Sequence, residues 1–273
     1  MPAHSPVDTV RGELIAIGGA EDKQKERRVL NQLCQLAGGS NACIAVLPTA
    51  SALPEQMGKT YSEVFTALGV AEVRVIQVLS RTDGYDPETL ARLEGCSLIF
   101  FTGGDQLRLV VTLGGTPVAQ AIRRMNAHGV PVAGTSAGAA AICQHMIARG
   151  KSGQVMSRHM VSLAPGLGLS NRIVVDQHFS QRHRMGRLLT AVSLNPFLVG
   201  VGIDEDTAAC VGPDNILSVW GRGSATVVDG SELLYTTVHE VEGRNPAAVL
   251  GTRVHVLTPG CTFDLINRQA KGP

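Results

Sequence analysis

Ser136 stands at the centre of Gly134-Thr-Ser-Ala-Gly138, with the apolar pair Val132-Ala133 before it and an alanine series after it. A strand that turns sharply into a helix puts its central side chain on a corner. The positions two before and two after that corner must be small, because neighbouring backbone passes close to them. This is the G-x-S-x-G nucleophile elbow, in which the serine Oγ is presented at the carboxyl end of a sheet. Ser136 is then the candidate nucleophile for acyl transfer, and the Ala137 N–H, at the start of the following helix, is one candidate oxyanion donor. The same five residues also suit close helix-strand packing in an ordinary parallel sheet, so the other reactive groups have to decide.

Three of those groups fall where strands should end. The apolar run Ile173-Val-Val gives way to Asp176-Gln177-His178, which places His178 beside the expected serine corner. Val199 to Ile203 runs into Asp204-Glu205-Asp206, and Ser97 to Phe101 runs into Thr102-Gly103-Gly104-Asp105-Gln106. The chemistry assigns roles: His178 takes the Ser136 proton and returns it to the leaving amine, Glu205 orients the imidazole and stabilises its charged form, and backbone N–H groups of Ala137, Gly103 and Gly104 hold the oxyanion. The order serine, histidine, acid differs from the serine, acid, histidine order of ordinary α/β-hydrolases, which demotes that fold. Behind the histidine, Arg182, Arg184 and Arg187 form a cluster of planar bidentate donors suited to carboxylates. Any one of these arginines could instead pair with Asp176, Asp204 or Asp206 and stiffen the site.

The elements that must position these groups alternate. Strands are expected at Glu13 to Ile17, Ala42 to Leu47, Glu72 to Val78 and Ser97 to Phe101. Helices are expected around Val29 to Leu36, at Pro54 to Leu68, after the Asp86-Pro87 cap and at Pro117 to Met125. Strands that are apolar throughout, separated by amphipathic helices, predict a parallel sheet covered on both faces, with function at its carboxyl edge. A helix at Met185 to Leu194 follows the arginine cluster. From Thr207 the period shortens, and alternating segments with Gly and Asp turns predict a β-rich extension over 207–273 of the same single domain. Residues 150–168, rich in Gly, Ser and Met, read as an irregular excursion.

The chain has 273 residues with a formal net charge of +1, 44% hydrophobic and 17% charged, which fits a soluble globular protein. A nearly neutral chain argues against a nucleic-acid partner, and no apolar run is long enough to span a membrane. Six cysteines without a C-x-x-C pair suit reduced buried thiols better than disulfides, and no His/Cys spacing suggests a metal. The amino-terminal residues lack a basic region followed by an apolar segment, so a cytoplasmic protein is expected.

Taken together, Gly18-Gly-Ala-Glu-Asp22, Gly103-Gly-Asp-Gln106, Gly134-Thr-Ser-Ala-Gly138, Asp176-Gln-His-Phe179 with its arginines, and Gly202-Ile-Asp-Glu-Asp206-Thr-Ala resemble the cyanophycinase family of serine peptidases, which also holds aspartyl dipeptidases. The resemblance spans the chain. It implies a flavodoxin-like, class I glutamine-amidotransferase-like α/β fold with a doubly wound, mostly parallel sheet, a homodimer, no cofactor, and a Ser136-His178-Glu205 triad. It further implies that Gln106, Asp176, Gln177, Arg182, Arg184 and Arg187 contact substrate. The family's polymer, cyanophycin, is a poly-aspartate backbone with arginine on each β-carboxyl, from whose end β-Asp-Arg dipeptides are released. An aspartyl or isoaspartyl dipeptidase on the same scaffold is the alternative.

Overall fold

The computed structural model describes residues 1–7, 9–153, 156–157, 159–242 and 245–273. The first half alternates as expected: β1 (Leu14–Ile17), α1 (Arg28–Leu36), β2 (Cys43–Leu47), α2 (Pro54–Ala67), β3 (Glu72–Val75), α3 (Pro87–Ala91) and β4 (Leu98–Phe101). Next come α4 (Gln106–Leu113), α5 (Pro117–Ala127), β5 (Val132–Thr135) and α6 (Ala137–Ala141). The second half holds β6 (His145–Gly150), β7 (Val161–Pro165), β8 (Ile173–Gln177), α7 (Met185–Leu194), β9 (Val199–Ile203), β10 (Thr207–Val211), β11 (Ile216–Gly221) and β12 (Ala225–Asp229). It closes with β13 (Tyr235–Thr236), β14 (Val249–Leu250), β15 (Arg253–Leu257), β16 (Thr262–Asp264) and β17 (Gln269–Lys271).

β1, β2, β4 and β5 are buried at every position, which is why they read as unbroken apolar runs rather than alternating ones. They form the parallel part of a nine-stranded sheet of order β17-β16-β11-β10-β1-β5-β4-β2-β3. Helices cover both faces. Ile15, Ile17, Ile44, Val46 and Phe100 meet Leu30 and Leu33 of α1 and Phe65 of α2 on one side. On the other side Ala45, Leu47, Ile99 and Phe101 meet Leu109 of α4, Ile122 of α5 and the alanines of α6.

The strands that carry His178 and the acids belong to a separate four-stranded sheet of order β15-β12-β9-β8, in which β8 and β9 are parallel. Its inner face, with Val175, Val201 and Val227, joins the core that includes α6, while α7 closes its outer face over Val174 and Val228. The β-rich extension is therefore shared between these two sheets and a separate β13-β14 pair. β10, β11, β16 and β17 continue the large sheet antiparallel from β1, whereas β12 and β15 complete the small one.

One segment had no element assigned from the sequence, and one differs from the sequence reading. Residues 106–113 form α4 although Leu-Val-Val-Thr-Leu favours a strand, because the Asp105 carboxylate caps the helix by accepting from Leu107 and Arg108 N–H. Within 150–168, β7 pairs antiparallel with β6, so that part is a ladder and not an irregular excursion. Residues 154, 155 and 158 of the segment lie outside the described residues.

The extension is pinned by Asp229, which is fully buried and accepts from Arg253 at 2.7 Å, Arg268 at 2.9 Å and the Ser231 N–H and hydroxyl. Burial alone would raise its pKa, but the Ser231 bonds and the two arginines outweigh it and hold the carboxyl below the ordinary aspartate value. Because the folded-state value is the depressed one, the contribution is full above the unfolded value of about 3.9 and is lost as pH falls through the folded one. Asp229→Asn should cost about 1–3 kcal/mol near neutral pH, and thermal unfolding of the two proteins should converge as the solution is acidified. A gap that stays constant with pH would contradict the charge assignment. Asp229 pairs with Val199, at the end of β9 remote from the three acids, so the variant should leave the site unaltered.

Candidate active site

Ser136 has φ 52° and ψ −109°, a corner that an L residue adopts only under constraint. Such backbone costs about 1–3 kcal/mol and persists where its surroundings over-determine it. Here they do. A Cβ on Gly134 would lie 2.4 Å from the Gly138 carbonyl carbon, and one on Gly138 would lie 2.6 Å from the Phe101 oxygen, so only glycine lets α6 fold back onto β5 and β4. The Ser136 N–H is held by the Ile17 carbonyl at 3.0 Å.

Strand ends bring the other groups to this corner. Ile17 of β1 lies opposite Thr135 of β5 in the large sheet, and Gln177 of β8 lies opposite Ile203 of β9 in the small one. The sheets meet where the His178 N–H donates to the Gly18 carbonyl at 2.8 Å. As a result Ser136 Oγ is 2.9 Å from His178 Nε2, and His178 Nδ1 is 2.6 Å from Glu205 Oε1. His178 is buried and itself adopts φ 49°, while Ser136 and Glu205 are half-buried.

The three acids after β9 separate cleanly. Asp204 accepts from the Ser180 N–H at 3.1 Å and the Ser224 hydroxyl at 2.8 Å, which ties the loops after β8 and before β12. Asp206 accepts the Asp22 N–H at 2.8 Å and so ties down the loop after β1. Only Glu205 reaches the imidazole, and its N–H is in turn held by the Gln181 side chain at 3.1 Å.

The expected contact residues also have definite places. Gly103 flanks the serine, since a Cβ there would sit 3.4 Å from Ser136 Cβ. Gly104 has φ +144° and leaves no room for a side chain against the Ala50 carbonyl. Ala137 is the first residue of α6, where an N–H has no partner within its own helix. Gln106 Nε2 donates to the Ile147 and Ala148 carbonyls of β6. Asp176, 1% exposed, is paired with Arg187 through Nε at 2.5 Å and through Nη2, and more loosely with Arg184 at 3.3 Å. Arg184 also donates to the Gln177 side chain and carbonyl, yet its buried Nε has no partner among the described residues. Burial, with the nearby Arg187 and Arg182 charges, outweighs Asp176 and brings the Arg184 guanidinium down to about 10, so it stays charged at neutral pH. Arg182 is exposed.

Two residues of the site carried little sequence signal. Gly19, φ +96°, leaves the space the imidazole occupies: a Cβ there would lie 2.5 Å from His178 Nε2. A glycine pair at a strand end was the only hint. Gln181 is an ordinary polar loop residue in the sequence. Five of the six cysteines are buried, and burial pushes Cys34 up to about 11 and Cys143 and Cys210 up to about 12, so none of these three offers a thiolate. Among the described residues no group of three His, Cys, Asp or Glu side chains is placed to hold a metal ion, and no helix is long and apolar enough to cross a membrane.

A family model for peptidase family S51 matches residues 14–219, which include every one of these positions. The chain belongs to peptidase family S51. A cyanophycinase of Synechococcus elongatus is 44% identical to this S51 peptidase over 262 residues, spanning 96% of this chain and 81% of that protein. A cyanophycinase of Geminocystis herdmanii is 42% identical over 265 residues, spanning 97% of this chain and 96% of that protein. The crystal structure of a peptidase from an acI-B1 actinobacterium superimposes with a TM-score of 0.69 at 24% identity, covering 93% of this chain and 97% of that one, so the two share a fold.

Electrostatics at the histidine can be checked directly. Burial lowers the His178 pKa most, the Glu205 hydrogen bond works against it, and the Arg182 and Arg184 charges lower it further, for a net value below the ordinary 6.5. An NMR titration of the His178 ring should therefore give a midpoint below that of an exposed histidine, and Arg182→Gln should move it upward. A midpoint that ignores Arg182 would contradict this account of the field at the ring.

Proposed function

We propose that this S51 peptidase hydrolyses cyanophycin as a serine-type exopeptidase and releases β-Asp-Arg dipeptides through an acyl-enzyme. The observation that carries the reading is the continuous hydrogen-bonded chain from Ser136 Oγ through His178 to Glu205, at 2.9 and 2.6 Å, on a corner where neighbouring backbone holds the serine. The similarity to cyanophycinases over nearly the whole chain supports the substrate.

A dipeptide product that keeps its β-linked arginine requires cleavage of the backbone amide. Ser136 Oγ attacks that carbonyl carbon while His178 Nε2 takes its proton. Glu205 stabilises the imidazolium, and the N–H groups of Ala137 and the Gly103-Gly104 loop receive the charge on the oxygen. Collapse of the intermediate breaks the C–N bond as His178 delivers the proton to the departing amine. Water activated by the same histidine then releases the acyl group from Ser136. A depressed His178 pKa suits this cycle, because the ring is neutral and able to accept a proton at neutral pH.

Each β-linked arginine of the polymer carries a carboxylate and a guanidinium, so the pocket needs both signs of charge. Arg184, whose buried Nε has no partner among the described residues, and the exposed Arg182 are the donors to substrate carboxylate in this reading. Leaving such a donor empty costs about 1–3 kcal/mol, which a bound carboxylate would remove. Asp176 and Gln177 orient Arg184, and the Asp176 pair with Arg187 supports them from beneath. Gln106, whose amide nitrogen is engaged with β6, presents its oxygen as the remaining group for substrate.

Incubation with cyanophycin should release β-Asp-Arg dipeptides, resolved by mass spectrometry, with activity unaffected by chelators. Ser136→Ala should abolish release and leave thermal stability near that of the wild type. Cleavage of α- or β-aspartyl dipeptides with the polymer left intact would instead favour the dipeptidase alternative, and activity retained in Ser136→Ala would overturn the triad.

Substitution by lysine separates the arginines, because it keeps charge and removes the bidentate fork. Arg182→Lys should lower kcat/KM for the polymer by about 1.5–3 kcal/mol, the value of a charged hydrogen bond, with little change in melting temperature. Arg187→Lys should chiefly melt earlier, since its fork is spent on buried Asp176. If Arg182→Lys cleaves the polymer normally, Arg182 does not hold substrate.

A further inference from the structure

The end of β1 and the loop after it hold the segments that carry Ser136, His178 and Glu205, yet the Glu21 carboxylate of that loop takes no part in the proton transfers above. Ile17 O holds the Ser136 N–H at 3.0 Å, Gly18 O holds the His178 N–H at 2.8 Å, and Gly19 O holds the N–H of Asp206, next to Glu205, at 3.0 Å. Two residues further on, Glu21 is 3% exposed. One of its oxygens accepts the Thr135 hydroxyl at 2.6 Å, and the other accepts the Tyr61 hydroxyl and pairs with Lys23 Nζ at 2.9 Å.

A buried carboxylate is costly unless it is hydrogen-bonded and paired, and a buried pair is weak support for stability alone. Each partner of Glu21 is itself fixed. The Tyr61 ring packs 4.7 Å from that of Phe100, and burial followed by the Glu21 charge keeps its phenol protonated well above the ordinary range, so it remains a donor. Lys23 Nζ lies 5.0 Å from the centre of the same ring. Thr135 is the last residue of β5 and directly precedes Ser136, so its side chain is the nearest handle on the strained corner.

We infer that Glu21 is a positioning residue for the nucleophile: through the Thr135 hydroxyl it holds the end of β5 against the loop after β1, on which the His178 N–H is anchored, and so fixes Ser136 Oγ at proton-transfer distance from the imidazole. The inference rests on the reading of Ser136 as nucleophile. Glu21 acts on approach and not on substrate binding, because its contacts are to Thr135, Tyr61 and Lys23.

The test is the rate at which a fluorophosphonate labels Ser136, followed by the mass of the modified peptide. In that reaction the Oγ–P bond forms, the P–F bond breaks, fluoride leaves and His178 receives the serine proton, so no polymer is needed. Glu21→Gln, which cannot accept all three partners, and Thr135→Val, which deletes the hydroxyl, should each label about 10- to 100-fold more slowly, as expected for a misplaced reacting group. Thr135→Ser, which keeps the hydroxyl, should label near the wild-type rate. On the polymer, both impaired variants should lose kcat with KM unchanged. Wild-type labelling rates in Glu21→Gln or Thr135→Val overturn the proposal, even if the variant melts earlier, and mark Glu21 as a purely structural acid. Should Glu21→Gln fail to fold, the isosteric Thr135→Val against Thr135→Ser decides, with equal rates overturning the proposal. If the wild type is not labelled at Ser136, the nucleophile assignment itself fails and the positioning role falls with it.

Discussion

The backbone corner at Ser136 can exist only because α6, the end of β4 at Phe101 and the end of β1 pass it at contact distance. α6 turns back so tightly that Gly134 and Gly138 have no space for a side chain, and the Ile17 carbonyl fixes the Ser136 N–H from the β1 side. The histidine shows the same dependence: its imidazole fills the room that Gly19 leaves, and its N–H is anchored on Gly18. Ser136, His178 and Asp206, at or just beyond the carboxyl ends of β5, β8 and β9, all adopt positive φ. A strained corner held by packing from outside it is the physical form of a pre-organised site.

Charge around the corner is divided by burial. Asp204 and Asp206 use their oxygens on backbone N–H groups, a serine and Arg222, which fixes loop geometry, and Glu205 is left to face the imidazole. The arginines divide in a similar way: Arg187 lies in a buried pair with Asp176, Arg184 keeps one donor without a partner among the described residues, and Arg182 reaches solvent. Adjacent residues of like charge thus do different work because their surroundings, and not their types, decide which atoms are free.

Much of this was legible in the sequence. The strands of the parallel sheet announced themselves as apolar runs, and Ser136, His178 and Glu205 each followed such a run, so their convergence was readable from the α/β pattern and the elbow glycines. The split into two sheets was not, because β8 and β9 are as apolar as β1 and β5, and nothing local says which neighbour a buried strand will choose. α4 escaped because its branched residues favour a strand, while a single cap at Asp105 decides for the helix. Glu21 and Gln181 escaped because they act through other residues, and such a role has no spacing rule.

Cleavage at Ser136 requires a backbone carbonyl of the polymer to lie over this corner with its oxygen toward the turn glycines and the head of α6. A crystal structure of the Ser136→Ala protein with a short β-Asp-Arg oligomer bound measures this directly. The scissile carbonyl carbon should lie above Ala at position 136, within reach of where Oγ would be, and the oxygen should accept from the N–H groups of Ala137 and the Gly103-Gly104 loop. An oligomer bound with its backbone amide away from this corner, or with that oxygen turned from those donors, would contradict it.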